Sequence, residues 1–103
     1  MAIDVKAIAW PYRYKTPKDP DATLDYQLDW SGWLVEGESI IALEVLVVGV
    51  NLEETTSTIN STTAWVSGGT VGNRASITFR VTTDSYPVNR KDDRTLILKI
   101  GDR

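Results

Sequence analysis

Between Leu24 and Trp30 apolar and polar positions alternate without a break. Leu24, Tyr26, Leu28 and Trp30 fall on one face, and Asp25, Gln27 and Asp29 fall on the other. A period of two is that of a half-buried β-strand. Ser31-Gly32 and the turn-forming Glu36-Gly37-Glu38 interrupt the pattern before a long apolar run, Ser39 to Val50, rich in Ile and Val. Its length alone would permit a helix; its β-branched content and flanking glycines predict a strand. Threonine and serine dominate Thr55 to Thr63, a stretch of poor helix propensity that suits either a strand with one wet face or a loop between sheets. Thr63 to Ser67 reads as a short strand, with Trp65 expected in or near the core. Gly68-Gly69-Thr70-Val71-Gly72-Asn73 then breaks the chain with glycines that reach positive φ without steric penalty.

The alternation is clearest in the next segment, where Ile77, Phe79, Val81 and Thr83 oppose Ser76, Thr78, Arg80 and Thr82. A central strand is expected there. Asp84 to Asp93 is polar and contains Pro87, so it reads as a hairpin loop whose return strand runs from Thr95 to Ile100, with Leu96, Leu98 and Ile100 inward. Several short strands separated by turn signals, with no amphipathic helix, predict an all-β, immunoglobulin-like antiparallel β-sandwich.

The first 23 residues follow a different pattern. Trp10-Pro11-Tyr12-Arg13-Tyr14, followed by Pro17 and Pro20, alternates aromatics but carries prolines that restrict ladder hydrogen bonding to a sheet edge at best. The reading is an extended N-terminal arm over residues 1–23 and a sandwich over 24–103. Burying one Trp or Tyr removes roughly 150 to 250 Å² from water. An arm with three such rings therefore needs a surface to lie on, its own sandwich or a neighbour's.

Composition narrows the function classes. In 103 residues there is room for one domain, and 42% apolar with 24% charged residues is ordinary globular composition. A net charge of -3 and a pI near 4.8 oppose the basic field that nucleic-acid binding requires. No window approaches the roughly 20 apolar residues of a membrane span, and no export signal is evident at Met1, so a soluble protein is expected. The chain has no cysteine and no histidine, hence no disulfide framework, thiolate zinc site or histidine-based catalytic triad.

Lys18-Asp19-Pro20-Asp21-Ala22-Thr23-Leu24-Asp25-Tyr26-Gln27-Leu28-Asp29-Trp30-Ser31 is followed by an acidic Gly turn. Further on come Trp65-Val66-Ser67-Gly68-Gly69-Thr70-Val71-Gly72 and an alternating Thr/Val strand. Together they resemble a family of small immunoglobulin-like virion proteins of tailed bacteriophages, the fibre-to-tail adaptors, over about residues 18 to 100. The aromatic arm stands outside the family pattern, and Gly72-Asn73-Arg74 replaces residues that are usually small or hydroxylated. The resemblance implies a virion structural protein, assembled in the host cytoplasm and joining tail or neck to fibre. Its partners would be other virion proteins of tail, neck, fibre or capsid in a multi-copy symmetric assembly. A head-decoration (cement) protein is the close variant of this reading.

The candidate sites are aromatic. Trp30 fits the inward face of its strand. Trp33 follows a glycine break and Trp10 lies on the arm; with Tyr12 and Tyr14 they are the candidate interface anchors. The same rings would serve a carbohydrate-binding module if they formed a coplanar stacking platform. Asp25 and Asp29, as same-face strand positions, lie about 13 Å apart, beyond the roughly 6.5 to 9.5 Å of an inverting glycosidase pair. Asp19, Asp21 and Asp25 match no calcium loop, and Asp-Pro-Asp is more simply a turn initiator. Gly68 to Gly72 lacks the lysine and following helix of a phosphate loop. Neither a catalytic residue, a metal site nor a cofactor is predicted.

Overall fold

The computed structural model describes residues 2–4 and 13–101, with side chains from residue 18 onward. These residues form eight strands and no helix: β1 (Ala2–Asp4), β2 (Arg13–Lys18), β3 (Leu24–Asp29), β4 (Ile40–Val48), β5 (Asn51–Ser57), β6 (Ser61–Ser67), β7 (Arg74–Thr83) and β8 (Lys91–Ile100). They build two four-stranded sheets, ordered β1-β3-β6-β5 and β2-β8-β7-β4. The first order is the ABED order of immunoglobulin domains, and β4-β7-β8 is their CFG sheet. Strand β2 is added along the outer edge of β8.

Each sheet has an antiparallel heart and one parallel edge. The pairs β3–β6, β5–β6, β4–β7 and β7–β8 are antiparallel, whereas β1 runs parallel to β3 and β2 parallel to β8. Hairpin connections force β5–β6 and β7–β8 to be antiparallel. No tight turn joins β1 to β3 or β2 to β8, so their direction is free of that constraint. The expected antiparallel sandwich is present as two three-stranded antiparallel sheets, each carrying a parallel strand at its edge. Residues 13–18 of the arm pair with β8 from Arg13↔Thr95 to Lys18↔Ile100, the edge position to which its prolines restrict it. Pro17 fits because it sits on an edge strand.

The core lies between the sheets. Tyr26, Leu28, Trp30, Ala64 and Val66 from one sheet meet Ile40, Ile77, Phe79, Val81, Leu96, Leu98 and Ile100 from the other, all buried. The alternation read in β3, β7 and β8 is the alternation observed. Thr55 to Thr63 resolves into the end of β5, a turn at 58–60 and the start of β6. The loop after β7 is shorter than expected because β8 begins at Lys91.

Trp65 is corrected outright: it faces outward and is 37% exposed. Thr62, Ala64 and Val66 are the buried positions of β6, held in register opposite Leu28, Tyr26 and Leu24. Strand phase is collective, and a single large ring cannot reverse it.

Candidate functional site: an apolar-tipped loop end

Strand directions place three connections at one pole of the sandwich: β3–β4 (30–39), β5–β6 (58–60) and β7–β8 (84–90). Backbone bonds knit them together. Trp30 N donates to Asn60 O (2.8 Å) and Ile40 N to Ile59 O (2.8 Å), joining the first two. Ser39 N donates to Asp84 Oδ1 (2.8 Å) and Asp84 N to Ser39 O (3.1 Å), adding the third. Within the β3–β4 connection a turn closes from Glu38 N to Val35 O (3.0 Å), and Gly37 supplies its φ of +83°.

That turn drives the Glu38 side chain under the loops. Its carboxylate is buried and accepts from Thr83 Oγ1 (2.5 Å), Val35 N (3.0 Å) and Arg90 Nε (2.8 Å), with Arg90 Nη2 on the second oxygen. The hydrogen bonds from Arg90 hold the Glu38 carboxyl down at about 2 against the opposing effect of burial, with Thr83 and Val35 assisting. The same contact raises the Arg90 guanidinium above its ordinary value. Arg90 also lies 4.2 Å over the Trp33 ring and donates to the Trp33 carbonyl (3.2 Å). Trp33 meets Trp30 edge to face at 5.4 Å, Arg94 stacks 4.4 Å over Trp30, and Trp30 Nε1 donates to Thr62 Oγ1 (3.0 Å). The base of this pole is therefore a pair of touching rings, Trp33 and Trp30, each capped by an arginine, with Arg90 anchored on a buried carboxylate.

Above the base the loop tips are apolar. Val35 is 61% exposed, Ile59 66%, Tyr86 95% and Val88 73%, so each of the three connections presents at least one. A cleft of about 230 Å³ opens beside Val35 and Ile59. That is below the roughly 300 to 1,000 Å³ of small-molecule sites and suits a single inserted side chain. At the opposite pole the exposed large apolar residues among the described ones are Val71 in the β6–β7 connection and Val48 at the end of β4, with Leu52 less exposed at the start of β5.

The sequence-derived anchors distribute differently. Trp33 belongs to the base, with one ring face taken by Arg90. Trp10 and Tyr12 lie outside the described residues, and of Tyr14 only the backbone, in β2, is described. Asp29 caps Ser31 N (2.8 Å), and Asp19 Oδ1 accepts from Asp21 N (2.9 Å), the turn expected of Asp-Pro-Asp. The tips went unread because isolated apolar residues in polar loops carry no periodicity; Tyr86-Pro87-Val88 inside an otherwise polar loop is the available signal.

At the other pole Lys18 is buried, its Nζ donating to the carbonyls of Asp19 (3.0 Å), Ala22 (2.7 Å) and Gly68 (2.7 Å). Burial lowers its pKa from the ordinary lysine value, against the raising influence of Asp19 and Asp21. Residues 18–99, beginning at this lysine, match the family described as Podophage GP4 fiber-tail adaptor protein gp77. The chain belongs to that family. No curated protein matches it. The adaptor is thus a bacteriophage virion structural protein linking tail and fibre, and the matched span contains the core except Ile100 and all three connections of the loop pole.

Proposed function

We propose that the adaptor works without catalysis, holding one of its virion partners through the apolar-tipped loop pole and acting in several copies around a symmetric tail. The observation that carries this is the convergence of Val35, Ile59, Tyr86 and Val88 from three connections over a rigid base. Loops on a locked scaffold keep the ordering entropy of docking small, and copies arranged by symmetry multiply modest contacts through effective concentration. Trp10, Tyr12 and Tyr14 form a second contact in this reading. Nucleic acid and membrane play no part, and assembly takes place in the host cytoplasm.

A carbohydrate platform is less well supported, because Arg90 covers Trp33 and Trp30 is buried, while the exposed rings Trp65 and Tyr86 lie on different elements. The test is the combined variant Val35→Asp, Ile59→Asp, Tyr86→Ala. It is expected to fold as the parent does and to be lost from assembled particles. Normal incorporation would sink the loop-pole reading. Copy number per particle separates a tail adaptor from a head-decoration protein, and Trp10→Ala with Tyr12→Ala and Tyr14→Ala tests the second contact by the same incorporation assay.

A further inference from the structure

The two sheet edges flanking the β4–β5 connection are unlike. Strand β5 is guarded, with a bulge between Leu52 and Glu54, two consecutive acids at Glu53 and Glu54, and hydroxyl residues to its end. Strand β4 is not. It runs nine residues with Glu44 as its one charge, exposes Ile41, Leu46 and Val48, and has no strand on its outer edge among the described residues. A long apolar edge with free backbone donors and acceptors is a template for pairing, which proteins otherwise blunt with charge, proline or cover.

Direction and charge select the occupant. Strand β4 is antiparallel to β7, β7 to β8, and β2 is parallel to β8, so the two edge strands of this sheet, β2 and β4, run the same way. Copies pointing in one direction therefore bring β4 of one beside β2 of the next. The register places Glu44 level with Arg80 and Asp93 on the outer face. Arg13 and Lys15, at the register positions of Thr95 and Ile97, belong to that same face of β2. Across the sheet Arg13 is level with Leu46 and Lys15 with Val48, so a stagger of two residues between neighbouring copies sets the acidic position of one edge against Arg13 of the other, with Lys15 next along the same face. Pairing β4 with β4 about a two-fold axis over its full length sets Glu44, its central residue, against its own copy, which like-charge repulsion opposes.

We propose that β4 docks on the β2 edge of a second copy of this chain, head to tail, extending one sheet from subunit to subunit. Such a heterologous contact closes into a ring when its rotation divides the circle, and it turns every loop pole to the same side. The proposal deepens the multi-copy reading above, and its test leaves the loop pole untouched, so the two fail separately.

The experiment is sedimentation velocity on the full chain over a concentration series, with folding checked by circular dichroism. The parent is expected to form oligomers larger than a dimer. Glu44→Lys, and separately the double variant Arg13→Glu with Lys15→Glu, are expected to weaken association about tenfold or more. An equimolar mixture of the two variants is expected to associate again, because each restores the other's charge pairing at alternating contacts. A parent that stays monomeric up to its solubility limit overturns the proposal. So does a dimer indifferent to Arg13→Glu with Lys15→Glu, which would place the contact at β4–β4 or elsewhere.

Discussion

Lys18 Nζ donates to the Gly68 carbonyl at 2.7 Å, fastening the end of β2 to the loop between β6 and β7. The bond joins the two sequence segments that carry the family resemblance, Lys18-Asp-Pro-Asp and Trp65-Val-Ser-Gly-Gly, across fifty positions of chain. The second segment supplies an acceptor that the first requires. Replacing Lys18 by Met keeps the aliphatic stem and leaves the carbonyls of Asp19, Ala22 and Gly68 without this donor. Hydrogen bonds to charged groups contribute about 1.5–3 kcal/mol each, not additively. Lys18→Met is expected to lower stability by on the order of 3 kcal/mol in urea denaturation.

Gly69 closes the same pole from above the core. Its φ is +111°, and a Cβ built there lies 2.7 Å from Ile100 Cδ1. Ile100 is buried and has little room to yield. Gly69→Ala combines backbone strain with overpacking and is expected to destabilise by about 1–3 kcal/mol. Gly72→Ala, whose Cβ meets open space, is expected to show the backbone part alone. Thermal melts of the two variants make the comparison.

Acid stability is expected to hinge on Glu38. Its carboxyl titrates at about 2 in the fold against an ordinary value of 4.5. Above pH 4.5 both folded and unfolded chains are ionised, and the contribution is fully present. Between pH 4.5 and 2 the unfolded chain takes up a proton that the folded one refuses, so stability falls as pH falls. At about 1.4 kcal/mol per pH unit, and discounting for the partial exposure of Arg90, the group contributes on the order of 2 kcal/mol. Glu38→Gln is expected to lower stability by about that much at pH 7 and to flatten the curve below pH 4.5, measured as the urea midpoint against pH.

The tryptophans are expected to separate by location. Trp30→Phe removes the bond to Thr62 and part of the stacking with Arg94 inside the core, and is expected to destabilise by about 1–2 kcal/mol. Trp65→Thr, on the outer face of β6, is expected to change stability by less than about 1 kcal/mol. Chemical denaturation of the pair distinguishes them, and an equal loss at both positions would contradict the assignment of faces.

The alternation in β3, β7 and β8 determined by itself that the chain is all-β, which faces are buried and where the main turns fall. Each of these follows from side chains two residues apart sharing a face, a relation wholly contained in the sequence. Tertiary structure alone decided the rest. Trp65 points outward because pairing with β3 sets the phase of all β6, and Lys18 is buried because its three acceptors include a carbonyl fifty residues away. The β2 segment became a sheet strand because β8, at the far end of the chain, offers it an edge. The loop pole followed the same logic: Val35, Ile59 and the neighbouring pair Tyr86 and Val88 come from three connections far apart in sequence, and only the crossing of strands between sheets brings them to one end.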